Sequence, residues 1–114
     1  VYPLWMGSMP ALLKGFLEQV SSGGLMIEPA EGGRSWVRKL KGKSARVIVT
    51  MGMPALVYRW YYRAHGLKAL ERNVLRFVGI GPIRRDLLGN VAGAGDAARQ
   101  RWLERMRAHG RRGD

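Results

Sequence analysis

The stretch that decides the fold is Tyr2-Pro3-Leu4-Trp5-Met6-Gly7-Ser8-Met9-Pro10-Ala11-Leu12-Leu13-Lys14-Gly15. Its first residues are typical of the end of a buried strand, and the following Gly-Ser pair is typical of a turn. Ser8 is a suitable helix N-cap, and Pro10 falls in the first helical turn, where a missing N–H costs little. Apolar residues then recur at helical spacing. The stretch predicts a strand end at residues 1–5 and a helix at 9–20.

A second junction of the same kind follows Ala45-Arg46-Val47-Ile48-Val49-Thr50, a β-branched run that predicts a strand covered on both faces, as in a parallel sheet. Met51-Gly52-Met53-Pro54 ends the run and leads into another helical pattern. The carboxyl ends of parallel strands lie at one edge of a sheet, which is where α/β folds bind ligands. Both turns are therefore candidate binding segments.

The rest of the sequence alternates between helical and strand patterns. Residues 21–44 form a long Gly- and Pro-containing connection, in which Trp36 is predicted to be a structural anchor of the loop. A helix is predicted from Ala55 to His65, ended by Gly66, and a helical stripe from Leu67 to Val78, ended by Gly79. A strand is predicted within 81–91. The last predicted helix runs from Ala97 to about His109 with Asp96 as its cap; its buried stripe is Trp102, Leu103 and Met106, and 110–114 is expected to be a frayed tail.

This order of elements predicts an α/β fold with a doubly wound parallel sheet. A chain of 114 residues that opens on the end of a strand is too short for a complete five-stranded domain of that type. The expectation is one partial domain, consisting of residues 1–20 (strand end and helix), 21–44 (loop) and 45–109 (remaining strands and helices), followed by the tail.

Composition narrows the possible functions. With no cysteine, the chain has no thiolate nucleophile, disulfide or thiolate metal site, and with only two histidines far apart no metal site is predicted. There is no apolar run long enough to span a membrane and no signal-peptide pattern, which suits a cytoplasmic protein. The net charge of +12 admits a nucleic-acid partner, although no recognised binding motif accompanies it.

Two segments resemble the flavodoxin-like NAD(P)H:quinone oxidoreductases of the flavodoxin-2 family. The first comprises Pro3-Leu4-Trp5 and Pro10-Ala11-Leu12-Leu13-Lys14-Gly15, and the second is Thr50-Met51-Gly52-Met53-Pro54 with Tyr58 downstream. The resemblance covers residues 2 to about 109 and implies the C-terminal half of a flavodoxin-like domain. The loop that holds the flavin phosphate in that family has no counterpart here. The resemblance further implies that the 21–44 segment borders the substrate pocket.

The resemblance also implies a cofactor and its contacts. A flavin, either FMN or FAD, would lie against the two turns, with NAD(P)H as the electron donor. Tyr58 and His65 would be the catalytic residues that stabilise charge on the reduced ring. The residues expected to bind the cofactor are Pro3, Leu4, Trp5, Met6, Gly7, Thr50, Met51, Gly52, Met53 and Tyr58.

The resemblance implies hydride transfer from NAD(P)H through the flavin to a quinone or a similar acceptor, in a protein that is usually a homodimer. Two alternatives remain open at this stage. One is an ancillary flavoprotein that regulates a potassium-efflux system. The other is a basic nucleic-acid-binding module that uses tyrosines together with Arg59, Arg63, Arg99, Arg101 and Arg105.

Overall fold

The computed structural model describes all 114 residues and contains five strands and four α-helices. Along the chain the elements are β1 (Tyr2–Pro3), α1 (Ala11–Ser22), β2 (Ile27–Pro29), β3 (Trp36–Arg38), β4 (Ala45–Thr50), α2 (Ala55–Trp60), α3 (His65–Ala69), a π-helical segment (Leu70–Leu75), β5 (Ile83–Leu88) and α4 (Asp96–Arg112). No helix combines the length and the apolar composition needed to cross a membrane.

The main sheet has three parallel strands in the order β1-β4-β5. Tyr2 lies opposite Val49, and Val49 in turn lies opposite Leu87. Because helices connect consecutive strands of this sheet, all three strands end at the same edge. The predicted α/β architecture with a parallel sheet is therefore confirmed, and both candidate turns emerge from that edge.

The core lies on one face of the sheet. Val47 and Val49 are buried there against Tyr58 and Leu67, both of which are almost completely inaccessible. The alternate residues of β4 point to the other face and are only half-buried. The strand at 45–50 is thus where the sequence places it, but only one of its faces is fully covered.

The first helix begins later than predicted. Ser8 does not cap it; the backbone N–H and C=O of Ser8 instead bond to Trp5, and Pro10 occupies the N-cap position with no side-chain cap. On this helix Leu12 is 87% exposed and Phe16 is 60% exposed. The apolar stripe that predicted the helix is therefore only partly covered by this chain.

The connection at 21–44 is more ordered than expected, because β2 and β3 pair in it as an antiparallel hairpin. Trp36 does not anchor this segment by burial in the core. The side chain lies on the hairpin and is 55% exposed. A two-stranded hairpin has no second layer that could bury its aromatic residues. A strand of three residues in a Gly-rich segment therefore gives no indication that its tryptophan is buried.

The predicted helix from Ala55 to His65 is two helices. The break falls at Arg63 and Ala64, whose φ angles are 55° and 50°. Such angles are uncommon for residues other than glycine and are tolerated only where tertiary contacts hold them. His65 is consequently the first residue of α3 and not a helix C-terminus, and Gly66 lies inside α3 instead of ending a helix.

The last helix is held by charges and not by a buried stripe. Trp102 and Met106 are half-buried and Leu103 is 50% exposed, so the predicted burial of this stripe is wrong. The side chain of Asp86 accepts a 2.5 Å hydrogen bond from Arg46 and lies 3.3 Å from Arg105 of α4. No residue of this helix is fully buried.

Both predicted ends of this helix also differ. Asp96 is its first residue and forms no capping bond, since Gly95 occupies the N-cap position. The helix runs to Arg112, and the terminal Asp114 contacts Arg46 through its backbone carbonyl, which accepts a 2.9 Å bond. The segment at 110–114 is thus mostly helical and docked onto the sheet, not frayed.

Replacing Asp86 with alanine is expected to loosen α4. The substitution removes the 2.5 Å partner of the half-buried Arg46 and leaves it only its contacts with Asp114, and hydrogen bonds to charged groups contribute roughly 1.5–3 kcal/mol. We expect the free energy of unfolding to fall by about that amount and amide hydrogen exchange in α4 to accelerate. Asp96→Ala is the control, because its 3.4 Å pair with Arg99 is exposed. Equal effects of the two variants would contradict this account.

Candidate functional site

The two candidate turns meet in one cleft at the carboxyl edge of the sheet. The cleft has a volume of about 360 Å³. Six of the eight residues that line it are hydrophobic. The lining consists of Leu4, Met6, Gly7, Met51, Gly52, Met53, Tyr58 and Tyr62. The turns therefore lie side by side, as the order of elements predicts.

The first turn is a tight reversal after β1. Trp5 and Ser8 exchange two backbone hydrogen bonds of 2.9 Å, and between them Met6 and Gly7 both have positive φ, at 48° and 76°. The N–H of Leu4 donates to the carbonyl of Thr50 at 2.7 Å. This last bond continues the β1–β4 ladder and fixes the first turn directly beside the second.

The second turn, after β4, is held by the loop that follows β5. The N–H groups of Asn90 and Val91 donate to the carbonyls of Met53 and Met51 at 2.9 and 3.1 Å. A Cβ atom at Gly89 would lie 2.9 Å from the carbonyl oxygen of Met53, so only glycine permits this approach. The loop after β5 thus supports the second turn from outside the cleft.

Four backbone N–H groups at the cleft take no part in hydrogen bonds within the chain. They belong to Met6 and Gly7 in the first turn and to Gly52 and Met53 in the second. Gly52 is exposed, and no atom lies within 4 Å of the position a Cβ would occupy there. The cleft therefore combines apolar walls with unused donors, an arrangement suited to a flat ring with polar edges.

Tyr58 joins the first turn to α3. The residue is 1% exposed. Its hydroxyl accepts a 3.1 Å hydrogen bond from the N–H of Leu67 and lies 3.4 Å from the carbonyl oxygen of Gly7, to which it donates. Burial raises the pKa of this hydroxyl, an effect that the Leu67 N–H partly offsets. The hydroxyl thus stays protonated and bridges two backbone segments.

Most of the predicted cofactor contacts come together in this cleft. Pro3, Trp5 and Thr50 do not line it. Trp5 is 63% exposed, and Pro3 lines a different groove between β1 and α1. The structure leaves these three as neighbours of the cleft, and their direct contact with a cofactor stays a prediction.

His65 is not brought beside Tyr58 in the cleft. It is exposed and lines a separate cavity next to Arg63 and Lys68. The interruption between α2 and α3 at Arg63 and Ala64 directs the His65 side chain out of the cleft, whereas the sequence prediction assumed one continuous helix. His65 therefore does not line the cleft together with Tyr58, and its catalytic role stays a prediction.

Two features of the site were missing from the sequence prediction. Tyr62 lines the cleft and is 48% exposed; its separation of four residues from Tyr58 was the available signal. The support from Asn90 and Val91 had no such signal, because hydrogen bonds between distant loops follow from strand order and not from a local pattern.

Two tyrosine-to-phenylalanine variants compare a buried hydroxyl that forms hydrogen bonds with a buried hydroxyl that forms none. Tyr58→Phe leaves the Leu67 N–H without its partner, and we expect a loss of about 1–3 kcal/mol in the free energy of unfolding. The hydroxyl of Tyr2 is buried without a hydrogen-bond partner, so Tyr2→Phe should be neutral or stabilising at pH 7. Chemical denaturation measures both, and a reversed order would contradict the assigned contacts.

The same Tyr2 variant should alter stability at alkaline pH. Burial, with smaller contributions from Tyr58 and Glu71, raises the pKa of Tyr2 from 10.0 to about 12. Between these values the unfolded chain loses a proton that the folded chain keeps, so stability falls as pH rises. Tyr2→Phe should remove about 1 kcal/mol of that fall near pH 11. Parallel pH profiles for the two proteins would rule out this shift.

Gly66 is where the first turn packs against α3. A Cβ at this position would overlap the carbonyl of Gly7 and lie 2.7 Å from Cα of Ser8. Gly66→Ala should therefore displace the first turn and open the cleft. We expect the free energy of unfolding to fall by about 1 kcal/mol or more, as is usual when a side chain is forced into a packed core. The matched control is Gly15→Ala in α1, which meets no atom within 4 Å and should stabilise the helix by roughly 0.5–1 kcal/mol. Thermal unfolding distinguishes the two signs.

Comparisons with known proteins agree with this architecture. The sequence matches the flavodoxin-2 family, described as having a flavodoxin-like fold, over residues 1–110. It is 32% identical over 105 residues to an uncharacterized NAD(P)H oxidoreductase of Haemophilus influenzae, with 91% of this chain and 51% of the relative covered.

Two solved structures superpose closely. The Smu.1420 protein of Streptococcus mutans has a TM-score of 0.73 and 27% identity, with coverage of 91% of this chain and 53% of that one. The NAD(P)H:quinone oxidoreductase of Methanothermobacter marburgensis has a TM-score of 0.70 and 26% identity, with coverage of 96% and 52%. The chain thus spans about half the length of these proteins. By sequence and by fold, it belongs to the flavodoxin-2 family of flavodoxin-like proteins.

Proposed function

We propose that the protein containing this chain is an NAD(P)H-dependent oxidoreductase that binds a flavin in the cleft between the two turns. The relatives named as NAD(P)H oxidoreductases support the reaction class. Because the chain covers only about half of their length, the activity is proposed for the whole protein. The observation that carries the proposal is the set of four unused N–H groups around an apolar cleft.

The residues present fit a flavin. Its ring system is flat and apolar on its faces and carries hydrogen-bond acceptors along one edge. Met6 and Met53 supply adaptable apolar contacts for the faces, while Met51 is almost completely buried in the core. The N–H groups of Gly52 and Met53 are donors for the polar edge, where negative charge develops on reduction. A flavin bound here would accept a hydride from NAD(P)H and pass the electrons to a second substrate.

Within this proposal, Tyr58 is a positioning residue. Its hydroxyl already donates to Gly7 and accepts from Leu67, so its effect on the ring passes through the first turn that it holds in place. Direct donation from Tyr58 to the cofactor, as the sequence predicted, would require this bond to be exchanged. Tyr62 is more exposed and can cover the open side of the cleft.

We further propose a quinone or a similar flat acceptor as the second substrate, because the same apolar cleft would admit it in turn. The protein is proposed to act as a homodimer. The exposed aromatic residues beside the cleft support this: Trp60 is 72% exposed and Tyr61 is 80% exposed. Large exposed apolar side chains in one segment are typical of an interface.

The proposed site can be tested by filling it. Gly52→Leu would add a side chain at a residue that lines the cleft, and because a Cβ there meets no atom within 4 Å, the fold should tolerate it. In the full natural protein we expect bound flavin and NAD(P)H oxidation to fall by about tenfold or more, equivalent to at least about 1.4 kcal/mol, because the added side chain would compete with the ring for the cleft. Gly23→Leu, equally uncrowded at the end of α1, is the control. A yellow, active Gly52→Leu protein would refute the site.

A further inference from the structure

A basic cavity lies next to the cleft, on the outer side of α3 and the π-helical segment. It measures about 680 Å³ and has a single hydrophobic residue in its lining. The cationic residues that line it are Arg63, Lys68, Arg72, Arg76 and Arg85, joined by His65. Glu71 is the only acidic residue of the lining. We propose that this cavity binds the 2′-phosphate of NADPH and makes NADPH the preferred donor, an inference that rests on the proposed function.

Most of these cations have no acidic partner. Arg85 lies 3.7 Å from the buried carboxylate of Glu71. Arg63, Lys68, Arg72 and Arg76 form no ion pair within 4.0 Å and no side-chain hydrogen bond. Unpaired arginines also occur elsewhere, as at Arg101 and Arg107, but this cavity gathers four unpaired cations in one lining. Unpaired like charges in one concave surface repel each other and raise the local concentration of anions.

The cavity adjoins the cleft through the backbone. Tyr62 lines the cleft, and the next residue, Arg63, lines the cavity. His65 lines the cavity, and its neighbour Gly66 packs on Gly7 of the first turn. A dinucleotide with its nicotinamide in the cleft would pass this boundary and could reach the cavity with its adenosine end.

The charge favours a phosphate monoester over a neutral ribose. A phosphate monoester carries about −1.5 to −2 charges near neutral pH and presents three acceptor oxygens. Guanidinium groups bind such oxygens through paired N–H donors, and Arg72 and Arg76, at the end of the π-helical segment, both line the cavity. NADH has only a ribose hydroxyl at that point and would leave both groups unpaired.

A nucleic-acid strand fits the cavity less well. Single-stranded binding sites combine positive charge with aromatic side chains on which bases stack. No Phe, Tyr or Trp lines this cavity. The exposed aromatic residues Trp60 and Tyr61 lie outside it. The cavity itself thus offers charge without an aromatic side chain, whereas the neighbouring cavity, which shares Arg63, Lys68 and Arg85, is lined by Trp60.

The kinetic test uses the full natural protein and the double variant Arg72→Ala/Arg76→Ala. We expect kcat/KM for NADPH to fall by about tenfold, equivalent to about 1.4 kcal/mol, and kcat/KM for NADH to change by less than about threefold. The control is Arg107→Ala/Arg111→Ala on α4, which removes the same charge from residues that line none of the cavities described here. An unchanged NADPH-to-NADH ratio in the first variant would overturn the proposal.

A binding test separates this proposal from the proposed function. Titration calorimetry with 2′,5′-ADP should show binding that 5′-ADP does not match and that the Arg72/Arg76 variant loses. That result supports the phosphate site even if the protein retains no flavin and oxidises neither nucleotide, an outcome that would refute the oxidoreductase function alone. Equal binding of 5′-ADP, or a single-stranded oligonucleotide that binds in place of 2′,5′-ADP, would overturn the phosphate site.

Discussion

The structure of the site depends on one contact, between the backbone of the first turn and the start of α3. Gly66 has no side chain where the carbonyl of Gly7 passes, and the Tyr58 hydroxyl bonds to both Gly7 and the N–H of Leu67. This contact holds the break between α2 and α3, where two non-glycine residues adopt positive φ. The cost of that backbone is met by burial of Tyr58 and Leu67 in the core.

The same contact explains why the cleft has unused donors. With the first turn fixed against α3, the N–H groups of Met6 and Gly7 cannot return to the sheet or join a helix. The second turn is fixed in a similar way, since the loop after β5 takes up the carbonyls of Met51 and Met53 and leaves the N–H groups of Gly52 and Met53 free. In both turns several carbonyl groups bond within the fold, while the four N–H groups do not.

Sequence patterns predicted the parallel sheet, the position of β4 and the meeting of the two turns, because each depends on local hydrophobic periodicity and on the rule that parallel strands end together. They failed where tertiary contacts override local preference. His65 and Gly66 were assigned to a helix end, since nothing local indicates positive φ at Arg63 and Ala64. Trp36 and Leu103 are apolar yet exposed, because periodicity identifies an apolar face but not what covers it.

The most direct test is to follow the backbone N–H signals of the full natural protein by NMR while flavin is added. If the two turns share one ligand, the largest shifts should occur together at Met6, Gly7, Gly52 and Met53, with smaller ones at Tyr62. Shifts confined to one turn, or centred on the groove between β1 and α1, would contradict the account.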